Sequence, residues 1–360
     1  MRARLMVMAA VAAGACAVAA TWMRFELAGD PGERATAAVV ERWSAQANAS
    51  PQPGDAAAAL APGAVPAPDD VEGDGRSDIL LDHVATGAFA YWQMHGQEVV
   101  RMSPALASPE GHERVATGDF NGDGRLDVLW VDPASDRRHV LLWLADGGGG
   151  FAPASVGQYA LNWQVIGTGD VDGDGKSDIL LREGEFLAYW AMDGATILRQ
   201  PAPVARPEGH TLVAQGDFNG DRRLDLIWEA SATRTLLMWL GTSAGFTAAP
   251  VGDHAQGWKV WGAGDIDGDG RSDLLLTHPS ERWFAYWIMD GATPLQYSPA
   301  FRLSGEDEPI RRFGPVAVGD YNGDGKLDIL SSREPDRALT IWFGDGSGFI
   351  AWATQGHAEG

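Results

Sequence analysis

The chain has 360 residues and a formal net charge of -22 at pH 7, from 49 Asp and Glu against 27 Lys and Arg. That balance, with no basic patch, argues against nucleic acid as a partner. Cys16 is the only cysteine, so a chain cleaved beyond it forms no disulfide, and a metal would have to staple what sulfur cannot.

The N-terminal "MRAR" and the uncharged, alanine-rich stretch from Leu5 to Met23 read as a secretory signal over residues 1–23, with small-residue steps such as Ala17-Val18-Ala19. The stretch is also long enough to span a bilayer, so an inner-membrane anchor through residues 5–23, facing outside the cytoplasm, is the alternative. Cys16 follows "AGA", but Ala13 stands where a lipoprotein box usually has Leu. Residues 24–68 form a Pro/Ala-rich tether, with one short helix expected in "ERATAAVVERWSAQ".

From residue 69 to 360 one pattern returns six times. "GDVDGDGKSDILL" (Gly169 to Leu181) crowds Asp170, Asp172, Asp174 and Asp178 into nine residues. Two carboxylates about 5 Å apart repel by roughly 3 kcal/mol at an effective dielectric near 20, so the cluster calls for a cation. Calcium takes six to eight oxygens at about 2.3–2.6 Å, and side chains at positions 1, 3, 5 and 9, with the position 7 carbonyl, can surround it. Glycine at position 6 allows the sharp turn. An EF-hand would place Glu at position 12 and helices at both ends, whereas Leu181 stands there and the flanks read as strands.

The expected ligands of loop 1 are Asp70, Glu72, Asp74, Arg76 and Asp78, and those of loop 2 are Asp119, Asn121, Asp123, Arg125 and Asp127. Loop 3 offers Asp170, Asp172, Asp174, Lys176 and Asp178, and loop 4 Asp217, Asn219, Asp221, Arg223 and Asp225. Loop 5 has Asp265, Asp267, Asp269, Arg271 and Asp273, and loop 6 Asp320, Asn322, Asp324, Lys326 and Asp328. Arg76, Arg125, Lys176, Arg223, Arg271 and Lys326 enter as backbone carbonyls. The loops hold 21 of the 49 acidic side chains, and six Ca²⁺ ions would bring the net charge from -22 to -10, so the acidity serves ions and not a basic partner.

Each unit of roughly 50 residues carries four strand signals. In the third, Ala188, Trp190 and Met192 alternate with Leu187, Tyr189 and Ala191, leaving both faces apolar. Strands buried on both faces, in four-stranded units arranged around an axis, make an all-β six-bladed, alternatively seven-bladed, β-propeller. Unit 1 lacks a clear first strand, because Pro62, Pro66 and Pro68 occupy that stretch.

The D-x-[DN]-x-D-G-x-x-D loops between strands, with "WLADGGGGF" and "WFGDGSGF" in even units, resemble the FG-GAP and VCBS repeats of integrin-alpha-type propellers. The resemblance implies a calcium loop between the first two strands of each blade, with positions 1, 3, 5, 7 and 9 as ligands. It implies no single activity, since such propellers serve as adhesion modules, lectins and enzyme scaffolds.

Odd units share "AYW" and a Ser before the last loop Asp, and even units share "F/Y-N-G-D" and a Leu there, so the period is about 98 residues and the ring has approximate threefold symmetry. The Tyr-Trp pairs are expected between blades. The "PEGH" turns ending at His112 and His210 are read as capped turns or, alternatively, ligand sites. No hydrolase, zinc-protease or P-loop signature is present. Asp136, Glu183, Asp193, Glu229 and Asp290 lie outside the loops as carboxylates for a glycan-cleaving alternative. The resulting expectation is an exported calcium-binding module for a glycan or protein ligand, not an enzyme; the alternatives are a polysaccharide-acting enzyme and a purely structural envelope protein.

Calcium is then a folding ligand. At about 1 mM Ca²⁺ and sites near 10⁻⁴ M, each site stabilises by about 1.4 kcal/mol and six by about 8. Chelator should lower the melting temperature by many degrees; a shift under about 3 °C, worth about one such site, would exclude this.

Overall fold

The computed structural model describes residues 69–83, 87–135, 137–243, 245–278, 283–303, 312–334 and 339–353. The signal segment, the tether, Asp136 and the proline-rich start of unit 1 lie outside them. The described residues contain 24 strands and no helix, hence no helix long and apolar enough to cross a membrane.

Blade 1 has β1 (Ile79–His83), β2 (Ala88–His95) and β3 (Glu98–Met102); blade 2 has β4 (Glu113–Gly118), β5 (Asp127–Asp132), β6 (Arg138–Ala145) and β7 (Phe151–Tyr159). Blade 3 has β8 (Gln164–Gly169), β9 (Asp178–Glu183), β10 (Phe186–Asp193), β11 (Thr196–Arg199) and β12 (Val204–Ala205). Blade 4 runs β13 (His210–Gly216), β14 (Asp225–Ala230), β15 (Thr235–Thr242), β16 (Gly245–Asp253), and blade 5 β17 (Lys259–Gly264), β18 (Asp273–His278), β19 (Trp283–Asp290), β20 (Thr293–Tyr297). Blade 6 has β21 (Arg312–Gly319), β22 (Asp328–Glu334), β23 (Leu339–Gly344) and β24 (Phe349–Ala353). Neighbouring strands within each blade pair antiparallel in sequence order. In blade 3 the expected fourth strand is split, because Pro201 and Pro203 interrupt it; β11 and β12 both pair with β10.

The two-residue period sends alternate side chains to two different seams. From β5, Val128 and Trp130 pack with Leu80, Phe89 and Tyr91 of blade 1. Leu129 and Val131 pack with Ile179, Leu181 and Trp190 of blade 3. From β10, Trp190 and Met192 face blade 2 while Leu187, Tyr189 and Ala191 face blade 4, as the alternation predicts. The tryptophans in these seams are packing groups: Trp130 and Trp228 are each 1% exposed. Fully burying such an aliphatic or aromatic side chain is worth about 1.5–3 kcal/mol.

The sixth blade closes directly on the first. Ala317, Tyr321, Leu330 and Ile341 form one cluster with Ile79, Leu81, Ala90 and Met94. A seventh blade has no place between them, which removes the seven-bladed alternative.

Because strands run up and down, the 1–2 loops and 3–4 hairpins share one end of the ring. The 2–3 turns and the connections between blades share the other.

Candidate metal centres

Each acidic loop is built on its first and last carboxylates. One oxygen of the position 1 Asp accepts the N–H of position 4 at 2.6–2.7 Å. Its other oxygen accepts the N–H of position 6 at 2.7–2.8 Å. The position 9 Asp accepts the N–H of position 2 at 2.9–3.0 Å with Oδ2. Its Oδ1 accepts an N–H from the third strand at 2.7–3.1 Å, from Met94, Ala145, Met192, Gly241, Met289 or Gly344. Position 9 thus staples loop to blade. The position 5 Asp accepts the N–H of position 7 at 2.9–3.0 Å.

The donor set fits a hard divalent cation. One oxygen each from Asp70, Glu72 and Asp78 lies within 4.8 Å of the others, as do oxygens of Asp170, Asp172 and Asp178, and of Asp265, Asp267 and Asp269. Oxygens around one calcium at about 2.3–2.6 Å stand no farther apart than about 5 Å. Glu72 Oε1 and Asp172 Oδ1 are also buried without a hydrogen-bond partner, a costly arrangement that a cation would offset. Burial pushes Asp127, Asp178, Asp225 and Asp273 up to about 7 and Asp328 to about 8, against the backbone N–H bonds that lower them. Burial likewise raises Asp70 to about 6 and Glu72 to about 7.

The position 7 side chains do more than their sequence role implied. Arg76, Arg125, Arg223, Arg271 and Lys326 fold onto the position 5 carboxylate of their own loop at 2.5–3.9 Å, and Lys176 reaches Asp193 at 2.6 Å. All six also lie over the position 4 glycine of the preceding loop, where a Cβ would meet them at 2.6–3.4 Å. Position 4 is Gly in every loop, at φ +75° to +85°, a left-handed conformation that suits glycine.

Position 6 is likewise Gly at positive φ, except in loop 4, where Arg222 sits at φ +65°. The Arg222 N–H still donates to Asp217 Oδ2 at 2.7 Å, so loop 4 keeps the turn in spite of the side chain. A non-glycine residue in this region costs about 1 kcal/mol or more.

The loops are joined in a ring. The position 8 N–H donates to the position 1 carbonyl of the preceding loop: Leu126 to Asp70, Ser177 to Asp119, Leu224 to Asp170, Ser272 to Asp217, Leu327 to Asp265, and Ser77 to Asp320, all at 2.5–2.7 Å. The position 8 side chain covers the residue before position 1, which is glycine in five loops; Cβ atoms at Gly118, Gly169, Gly216, Gly264 and Gly319 would meet it at 2.4–2.7 Å. Blade 1 has Asp69 there, buried at φ +59° and hydrogen-bonded by Thr117 at 3.2 Å. The motif pattern contains positions 0, 4 and 8, but their role needs the neighbouring blade.

Outside the loops, the "PEGH" turns are capped: the His112 N–H donates to Pro109 at 3.0 Å and that of His210 to Pro207 at 3.3 Å, and each ring Nδ1 lies 2.8 Å from a Glu carbonyl. Asp193 and Asp290 are at the loop end, beside Lys176 and Arg271. Glu183 accepts from Asn162 in blade 3, and Glu229 stands 3.4 Å from His254 at the end of blade 4.

Four segments that overlap in two pairs, residues 70–130 with 119–181 and 217–276 with 265–331, match the FG-GAP-like repeat family and together cover more than half of the chain. The protein is a member of the FG-GAP-like repeat family. Integrin alpha pat-2 of Caenorhabditis briggsae is 24% identical over an alignment of 272 positions that covers 61% of this chain but only 21% of that much longer protein. A lectin of Agrocybe aegerita that recognises non-reducing terminal N-acetylglucosamine shares the fold, with a TM-score of 0.52, 17% identity, and 79% and 78% of the two chains covered. The Tc holotoxin pore of Photorhabdus luminescens has the same TM-score and identity over 78% of this chain and 14% of its own.

Two outcomes follow for this FG-GAP propeller. Loop 4 should bind calcium at least about tenfold more weakly than loops 2 and 6, which share its three carboxylates but keep Gly124 and Gly325; 1.4 kcal/mol of strain gives that factor. Calorimetry should resolve one weak site that Arg222→Gly strengthens; six equal sites in the wild type would refute the strain argument. The second outcome concerns pH. The raised position 9 carboxylates hold protons more tightly folded than unfolded, so folding takes up protons between about pH 4, the unfolded value, and the folded values near 7–8. In chelator the melting temperature should therefore rise as pH falls from about 8 to about 5, and in calcium this gain should vanish as protons compete with the ion. A flat profile in chelator would contradict it.

Proposed function

We propose that the protein is an exported, calcium-stabilised propeller that binds a glycan or protein ligand on the end of the ring opposite the loops. The observation that carries this reading is the difference between the two ends. At the loop end the carboxylates, glycines and cations are committed to one another and to the neighbouring blade. At the opposite end five half-buried histidines (His83, His112, His139, His210, His278) sit on strand ends and connections, while His254 is buried against Glu229. Aromatic rings join them: Trp258 stands edge-on to His278 at 5.6 Å, and Arg302 lies over Trp283 at 4.2 Å. Imidazoles, indoles and guanidinium groups on connections held by a rigid ring suit a polar ligand with apolar faces, such as a sugar. The glycan recognition named for the lectin of similar fold supports this reading, and the integrin relative supports a protein ligand at an extracellular surface. The basic and apolar start of the chain supports export. Calcium in the loops is the natural counter-charge for oxygens that converge within 4.8 Å. We read the module as binding without turnover, because its carboxylates outside the loops are spread over separate blades and both ends.

A glycan array and a polysaccharide-degradation screen, each with calcium and with chelator, test the reading. Binding without product is expected. Asp170→Ala should remove one ion and weaken blade 3 while leaving ligand affinity at distant blades nearly unchanged. Product release, or loss of all binding in a folded, calcium-loaded variant, would overturn it.

A further inference from the structure

The even-numbered loops each carry an Asn-Gly step at positions 3 and 4: Asn121-Gly122, Asn219-Gly220 and Asn322-Gly323. Such a step is chemically labile, because glycine has no side chain to hinder attack by its backbone nitrogen on the preceding side-chain amide. The Gly nitrogen forms a bond to Asn Cγ and loses its proton, the Cγ–Nδ2 bond breaks, and ammonia leaves. Water then opens the cyclic imide at either carbonyl, giving aspartate or isoaspartate, so the sum is amide plus water to acid plus ammonia, with no change of oxidation state.

The loop restrains both reactants. The attacking nitrogen is held with its N–H on the position 1 carboxylate at 2.7 Å in all three loops. The Asn Oδ1 accepts the position 5 N–H at 2.9–3.0 Å in all three. In loops 2 and 6 the amide is clamped a second time, because Asn121 Nδ2 donates to Asp123 at 3.1 Å and Asn322 Nδ2 to Asp324 at 3.2 Å. Asn219 Nδ2 makes no corresponding bond to Asp221 among the described residues. Loop 4 is also the one whose position 6 holds a non-glycine residue, Arg222, at φ +65°. The missing clamp leaves this amide the least restrained of three chemically similar steps, in the one loop whose neighbouring turn is strained.

We infer that Asn219 is a site of spontaneous deamidation, favoured over Asn121 and Asn322 by the missing amide clamp and the strained turn of loop 4. The two products differ in consequence. Aspartate gives loop 4 the position 3 carboxylate that loops 3 and 5 already have. Isoaspartate lengthens the backbone between positions 3 and 4 and displaces the Gly220 N–H from Asp217.

The test is to age the folded full-length protein in calcium at mildly alkaline pH and read all three sites by peptide-mapping mass spectrometry. Each rate is divided by that of the same site in the urea-unfolded chain, which removes differences of local sequence. Asn219 should react about three- to tenfold faster than the other two on this normalised scale, the factor that one hydrogen bond of about 0.5–1.5 kcal/mol provides. Arg222→Gly should slow Asn219 and leave Asn121 and Asn322 unchanged. A normalised rate at Asn219 no greater than at the other two would overturn the assignment, and an unchanged rate in Arg222→Gly would overturn the part given to the turn.

Discussion

The structure depends on one hydrogen bond made six times, from the position 8 N–H of each acidic loop to the position 1 carbonyl of the loop before it. The last of them, Ser77 to Asp320, joins residues 243 apart in the chain and closes the circle at 2.7 Å. Each loop therefore has two tasks, to gather oxygens around a point and to hold the next blade. A carbonyl can accept only if the neighbouring backbone comes close, and that is why position 0 is Gly in five of six loops. Any added Cβ there would strike the Ser or Leu of position 8.

The alternation of blades adds a second layer to this ring. In odd blades the hairpin glycines Gly96, Gly194 and Gly291 donate to Tyr321, Phe120 and Phe218 of the preceding even blade, each at 2.8 Å. Across the other kind of seam, the Tyr91 hydroxyl reaches Gly149 at 3.1 Å and the Tyr286 hydroxyl reaches Ser347 at 2.9 Å. Two seam types in turn make a three-unit ring, in which blade 6 belongs with blade 1 across the chain ends. The six apolar clusters follow the same division, one to each seam.

Electrostatics explains why so acidic a ring is tolerated. Each position 1 carboxylate is met by backbone N–H groups, each position 9 carboxylate by two more, and a cation from position 7 lies between successive loops. These contacts lower the cost of burial without removing it, since the position 9 groups still stand well above the ordinary carboxylate range. A divalent ion would complete what the backbone begins, and loop 4, with Arg222 at its turn, is where that completion is expected to be weakest.

Much of this was legible in the residues. Spacing within the motif located the six loops, the two-residue period told which side chains face which seam, and the 98-residue period marked the two kinds of blade. These features are local, because a carboxylate at every second position and an apolar residue on each side of a strand act within a few residues of themselves. The positive φ of Arg222 was readable for the same reason. The roles of positions 0, 4, 7 and 8 were not, although position 4 is Gly and position 7 is Arg or Lys in all six loops and position 0 is Gly in five. Their partners belong to the adjacent blade, about 50 residues away or at the opposite end of the chain, and only the closed ring brings backbone and side chain together at those distances. The number of blades was settled in the same way. Repeat counting left six or seven open, and direct packing of Tyr321 and Ile341 on Ile79 and Met94 decides for six.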